Sequence, residues 1–419
     1  MLKEKYIHNV KQTALNITQT QIDSIREKKI EKTGLRIYKD GFMGYSGAIG
    51  KFDEGELEER ALKSLENKIP YSAEPVSGLQ IAEDYSGQII PEDEFIEESE
   101  ALLSIIRKEQ PDFYFSNKII LEEETVKLIN DNGLELCHRE TTLGISLVFK
   151  EKTSVNIMDG FVGYGGRKYS RKEVIKHINQ VCNAFQNKVE LPQEGKLPVV
   201  FTTTDSLPYR KFWQALNGRN FGSKTSLFSD KLGEKIFSDN FTLYQTNNPD
   251  DIYQAAKGMN TPAHFFDAEG IVNQDYRYAL IENGKLITPY TDKRTAAEYD
   301  LPQTGAAYAE YDDIPSLGNP ALLIEESDKT AKELLNGQMG ILIMIASGGD
   351  FTPEGNFATP VQLAFLFDGE KIIGRLPELN LSSNIFDMYG DSFLGVSKDT
   401  VNPVSSDHYL IMNMDVSKL

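Results

Sequence analysis

Hydrophobic and polar positions along this chain follow two periods, and the change from one to the other marks out its elements. Leu57, Ala61, Leu62 and Leu65 recur at helical spacing between about Glu54 and Asn67. Val174, Ile178, Val181, Cys182 and Phe185 do the same from Arg171 to Phe185, so both stretches are expected to be amphipathic helices. A further helix is expected from Glu92 to Glu109, and the N-terminal run from Lys3 to Lys28 reads as one long helix. Strand-like runs lie near Asp112 to Phe115, Thr125 to Asn130, Leu134 to Glu140 and Gly144 to Phe149, with a hairpin turn at Asn132-Gly133. Between Pro70 and Pro91 prolines, glycines and acids with weak periodicity suggest an exposed arm.

One eight-residue pattern occurs twice. Asp40-Gly41-Phe42-Met43-Gly44-Tyr45-Ser46-Gly47 returns as Asp159-Gly160-Phe161-Val162-Gly163-Tyr164-Gly165-Gly166, each after an extended run and each before a helix. The pattern reads as a repeated β-β-α unit, with both copies on one sheet and the helices packed on one side. Phosphate binding by these glycines is the weaker reading, because no P-loop Lys-Ser/Thr follows and the aspartate would repel an anion.

Asn187 to Pro198 carries Pro192, Gly195 and Pro198 and reads as a linker. Beyond it come a strand, Val199 to Thr203, a helix from about Leu207 to Leu216, and then mostly strands, including Gly340 to Ala346, Val361 to Asp368 and Lys371 to Arg375. The expected fold class is therefore α+β: an N-terminal domain over 1–190 and a mainly antiparallel β domain over 198–419 that closes toward a barrel.

The most informative stretch is Phe265 to Gly305. It reads Phe265-Phe266-Asp267-Ala268-Glu269-Gly270, then Leu280-Ile281-Glu282-Asn283-Gly284, then Asp292-Lys293-Arg294-Thr295-Ala296, and last Thr304-Gly305, with Asn283-Gly284 as a tight hairpin and a short helix from Lys293 to Tyr299. This order resembles the TldD/PmbA family, also called peptidase family U62. Further pieces that match are Lys39-Asp40-Gly41 with Gly44, Leu232 to Ile236, and Gly349-Asp350-Phe351 with Asn384 and Asp387. The resemblance implies a cytosolic protein of peptide breakdown or maturation whose TldD-type subunit is a zinc metallopeptidase. The matching positions Asp267, Glu269, Gly270, Asn283, Gly284, Thr304, Gly305, Gly349, Asp350 and Asn384 are candidates as family-signature or peptide-groove positions, the groove being read around Gly349 and Asp350.

TldD-type members carry His-Glu-x-x-x-His on a helix, two imidazoles for zinc with a glutamate as general base. This chain has five histidines, His8, His138, His177, His264 and His408, and none is so paired. If the family's Gly-His step is laid on Gly218-Arg219, the other positions fall on Gln214 and Ala215. The chain therefore resembles the PmbA (TldE) type, with no catalytic residue, metal or cofactor of its own and zinc only in a TldD-type partner. Two weaker metal candidates are His264 with Asp267 and Glu269, and His138 with Glu140, the latter pair read as exposed strand residues. Gly-x-Ser-x-Gly is absent, so a serine mechanism has no support.

Composition narrows the function classes further. Sixty-three acidic against 44 basic residues give a net charge of −19, which opposes direct contact with nucleic acid and weakens the family's older label, modulator of DNA gyrase. Cys137 and Cys182 are too few for a disulfide framework, and Cys182 falls on the apolar helix stripe. No apolar signal region or membrane-length run is present, so a cytoplasmic protein is expected. The expected partners are a TldD-type subunit or a second copy of the chain, and a peptide or unfolded polypeptide. Alternatives are an autonomous peptidase with an unrecognised site and a non-enzymatic regulator of gyrase or toxin-antitoxin proteins.

Overall fold

The computed structural model describes every residue except Asn260, Pro262 and Ala263. In chain order the N-terminal part contains β1 (Leu2–Thr18), β2 (Gln21–Lys39), β3 (Phe42–Ile49), α1 (Glu54–Ser64), β4 (Ile69–Pro70), β5 (Gln80–Tyr85), α2 (Phe95–Glu109), β6 (Phe113–Asn130), β7 (Glu135–Glu151), β8 (Gly160–Gly166) and α3 (Arg171–Gln186). One sheet holds all these strands in the order β4-β3-β2-β1-β6-β7-β5, with β8 beside the far half of β7. The repeated unit is thus confirmed on one sheet, and each copy gains a leading strand: β1-β2-β3-α1 answers β6-β7-β8-α3, joined where β1 and β6 run antiparallel.

The long N-terminal helix is corrected to the β1–β2 hairpin. Both faces of β1 are covered, with Tyr6, Val10 and Ala14 buried on one and Leu15 and Ile17 on the other. A strand buried on both sides loses its period-2 alternation, and here the spacing of apolar residues imitates a helix. Its turn, Gln19 and Thr20 at φ 49° and 64°, lacks the Asn-Gly signal that a hairpin usually shows. The expected arm between Pro70 and Pro91 is also corrected in part, since β5 adds to the sheet in parallel with β7.

The helices lie on one face of this sheet. α1 packs on Leu35 and Ile37, while α2 and α3 pack on Leu15, Phe115, Ile119, Leu143 and Ile145.

The C-terminal part contains β9 (Gly195–Thr202), α4 (Arg210–Ala215), α5 (Gly218–Gly222), β10 (Leu243–Thr246), β11 (Arg277–Glu282), β12 (Lys285–Leu286), α6 (Lys293–Tyr299), β13 (Ala307–Tyr308), β14 (Ser316–Leu317), β15 (Ala321–Ile324), α7 (Ala331–Leu335), β16 (Gly340–Ala346), β17 (Asp350–Phe351), β18 (Asn356–Phe367), β19 (Ile372–Arg375), β20 (Leu379–Asn384), α8 (Ile385–Met388), β21 (Phe393–Thr400) and β22 (His408–Lys418). The order β16-β9-β22-β20-β18 closes through β16–β18 pairing into a five-stranded barrel. All its pairings are antiparallel except β9 with β16. Val199, Phe201, Ile341, Val361, Leu381, Met412 and Met414 belong to its large buried core, and closure removes the barrel's edges over most of its length.

Two buried clusters tie the parts together. Val200, Leu342, Phe365, Tyr409 and Ile411 of the barrel join the core beneath α2 and α3. On the opposite sheet face, Phe265 and Phe266 pack against Tyr6, Val126, Leu128 and Leu136.

Candidate functional site

Three parts of the Phe265 to Gly305 stretch, around Asp267 to Ile271, Thr291 to Thr295 and Thr304 to Gly305, fold into a sealed clasp against the N-terminal sheet. The Asp267 carboxylate accepts the backbone N–H groups of Glu269 (2.9 Å), Ile271 (2.9 Å) and Ala307 (3.0 Å), which fixes a turn where Gly270 takes φ 77°. Glu269 accepts the Tyr71 hydroxyl and, at 2.8 Å, the backbone N–H of Lys293. That N–H opens α6, where helix geometry leaves donors free. Asp292 caps the same helix by accepting Thr295 N–H at 2.8 Å. From the sheet, Arg36 donates to the Ala268 carbonyl at 2.6 Å and lies 3.3 Å from Glu4. Thr304 exchanges hydrogen bonds with Thr291, and the Gln245 amide donates to the carbonyls of Thr304 and Gly305, each at 2.8 Å.

Asp267 and Glu269 are 0% and 3% exposed. Burial pushes Asp267 up to about 6 in spite of its backbone hydrogen bonds. Burial, then the neighbouring Asp267 charge, pushes Glu269 up to about 7. Groups so enclosed cannot touch a substrate. What they do is hold the start of α6 and the two halves of the chain in one geometry.

The other candidates lie apart from the clasp. Asn283 and Gly284, at φ 48° and 77°, form the β11–β12 turn, and a side chain at Gly284 would stand 2.3 Å from the Phe237 carbonyl oxygen. Gly349, Asp350 and Asn384 come together beside the start of β18, where Asp350 pairs with Ala358 and Asn384 with Asn356. Asn384 also caps α8 by accepting Phe386 N–H at 3.0 Å.

On α4 and α5 the zinc-motif positions hold an amide, a methyl group and a guanidinium. Gln214 accepts the Lys211 ammonium at 3.0 Å, and that ammonium also donates to the carbonyls of Thr352 (2.9 Å) and Pro353 (3.1 Å). Burial lowers the pKa of Lys211, with Asp350 and Glu354 opposing the shift. Ala215 is buried, and Arg219 reaches toward the Thr295 hydroxyl at 3.4 Å. Zinc needs imidazole, thiolate or carboxylate donors, so this set, with two cations in it, does not fit the metal. Among the described residues no group of three or more His, Cys, Asp or Glu is placed to hold a metal ion.

His138 and Glu140 are not exposed, contrary to the reading of that strand. They are 0% and 6% exposed, because the chain around Tyr253 and His264 covers this face of the sheet. Tyr253 donates to Glu140 at 2.6 Å, and both ring nitrogens of His138 lack a hydrogen-bond partner among the described residues.

Sequence reasoning missed a large cleft. A cleft of about 920 Å³ opens between β8 and α3 on one side and the barrel on the other. Its walls include Phe161 to Gly165, Leu342 to Ala346, Asp205, Lys257 and the loop after β21. The glycines of the second repeat copy were the available signal, since Gly163 and Gly165 belong to that wall.

Known proteins share this fold. The description of the PmbA/TldA metallopeptidase C-terminal domain matches residues 194–418. An uncharacterized protein of Methanocaldococcus jannaschii is 23% identical over 91% of this chain and 88% of its own length. Among solved structures, TldE from Thermococcus kodakarensis shares the fold with a TM-score of 0.73 at 18% identity, over 99% of this chain and 96% of that one. A proposed modulator of a DNA gyrase from Thermotoga maritima gives a TM-score of 0.76 at 15% identity, over 99% and 96%. Another from Bacteroides thetaiotaomicron gives 0.75 at 19% identity, over 100% and 95%. With more than half of its residues matched by the family's own domain description, the chain belongs to the TldD/PmbA family.

Proposed function

We propose that this chain is a PmbA/TldE-like subunit of a TldD/TldE-type metallopeptidase system that degrades or matures peptides in the cytoplasm, and that it does not itself carry the zinc. The observation behind this reading is the donor set on α4 and α5, where Gln214, Ala215 and Arg219 stand at the zinc-motif positions and Lys211 adds a buried cation. Family membership supplies the peptidase context. The chain's own part is to shape the chamber and admit unfolded polypeptide, with a TldD-type subunit supplying the hydrolytic centre. A formal charge of −19 suits protein contacts better than DNA. An obligate pair of this kind buries more than about 1,600 Å². Co-expression with a tagged TldD-type protein from the same host should yield a stoichiometric complex with more peptidase activity than the tagged protein alone. Failure to form that complex would overturn the partnership.

A further inference from the structure

The cleft is bounded by two strands that present edges rather than faces. Five consecutive residues of β8, Phe161 to Gly165, and five of β16, Leu342 to Ala346, line it. Side chains on a strand alternate between faces, so an unbroken run along a cavity means that the backbone edge looks into it. The pairing agrees. β8 pairs only with β7, and β9 pairs with β16 only at Ile341 and Leu342, so among the described residues both edges are open beyond those points. Gly163 and Gly165 leave the β8 backbone bare. Open edges in folded proteins are normally shortened, charged or covered, yet here two of them border one cavity.

We infer that this cleft is a slot for an extended peptide segment, which enters as an added strand and pairs with β8 on one side and β16 on the other. A strand residue fills about 160 Å³, from a rise of about 3.4 Å, a strand spacing of about 4.8 Å and a layer spacing of about 10 Å. The cavity of about 920 Å³ therefore holds five or six residues, which matches the length of each edge. At their nearest the strands lie within 8 Å between Cα atoms. An intervening strand needs about 9.6 Å, so seating the segment spreads the two walls there. Asp205, Glu370, Asp399 and Asp407 outnumber Lys176 and Lys257 along the lining, which selects a neutral or basic segment. Proline is excluded because it has no N–H to give either edge. The inference deepens the proposed peptide-handling role and rests on it only for the source of the segment.

The test uses the full chain alone and a fluorescent heptapeptide of alternating valine and lysine. Anisotropy should show saturable binding, and hydrogen exchange should slow over both 161–165 and 343–346. N-methylation of alternate peptide amides should weaken binding about tenfold or more, because it removes the hydrogen bonds to one edge. A valine–glutamate heptapeptide should bind less tightly than the lysine one. No binding, binding that protects neither strand, or indifference to N-methylation would overturn the slot. Protection of both strands that rises with protein concentration alone would assign the cleft to a second copy and overturn it too. Peptide binding with no TldD-type complex would sink the subunit reading and leave the slot standing, and the reverse pair of results would do the opposite.

Discussion

Glu269 has both carboxylate oxygens engaged, by Tyr71 and by the first N–H of α6, and only 3% of its surface exposed. Its folded pKa of about 7 stands above the ordinary 4.5 because burial disfavours the charge. A raised folded value means that its contribution to stability is complete below pH 4.5 and is lost as pH rises through 7. Glu269→Gln removes the charge while its amide can still accept from Lys293 and donate to the Tyr71 oxygen. In urea unfolding, the variant should gain on the wild type between pH 5 and 8, by up to about 3 kcal/mol. Parallel stability curves would show that the charge carries no such cost. Tyr71→Phe, which leaves a buried oxygen unpaired, should lose about 1–3 kcal/mol in the same measurement. The importance of Glu269 was legible from its place in an ordered pattern. Its partners were not, because Tyr71 is 198 residues away and only the fold brings it near.

Turns and helices were the most legible elements, and the reason can be tested on two glycines. Gly41 and Gly284 have nearly the same φ, 79° and 77°, but a side chain at Gly41 meets nothing within 4 Å, whereas one at Gly284 collides with the Phe237 carbonyl. Gly41→Ala should therefore cost about 1 kcal/mol of backbone strain, and Gly284→Ala distinctly more, as thermal unfolding of both will show. α1, α3 and α6 were readable because each has one wet face and a cap or stripe in its own residues. β7 was legible along most of its length and β6 at its two ends, but β1 was not, because both of its faces are covered by distant parts of the chain. The middle of β6, with its run of acids, carries no strand signal of its own, and its partners lie on β1, with Glu124 at 2.5 Å from His8 and Glu122 at 2.5 Å from Gln12. The covering segment should be acid-sensitive. Burial, then His138 and His8, lowers His264 to about 3, below the ordinary 6.5. That depressed value makes its contribution complete above pH 6.5 and lost as pH falls toward 3. The facing groups are His8 of β1, Glu124 of β6, His138 and Glu140 of β7, and Tyr253 and Lys257 of the covering chain. Hydrogen exchange over 264–271, corrected for intrinsic rates, should be faster at pH 5 than at pH 7, and His264→Phe should remove that difference. An unchanged difference in the variant would place the sensitivity elsewhere.

At the scale of the whole molecule, the N-terminal sheet is held on both faces. The barrel packs beneath its helices, and residues between Phe265 and Tyr276 grip its other side. Among the described residues no helix is long and apolar enough to cross a membrane. Barrel closure was only partly legible, since alternation shows strands but not that β16 returns to pair with β18 across the intervening turn. Beyond the glycines of β8 the cleft was illegible, because its two edges come from residues far apart in sequence. The clasp is sealed, the cleft is open, and the zinc-motif positions hold Gln214, Ala215 and Arg219, with the Lys211 ammonium on the Gln214 amide. Metal content by mass spectrometry on the purified chain, run beside a peptidase assay with and without a TldD-type protein, tests the central claim most directly. The expected result is no stoichiometric zinc and no hydrolysis by the chain alone, with activity only in the presence of the partner. Stoichiometric zinc with chelator-sensitive hydrolysis from this chain alone would contradict it.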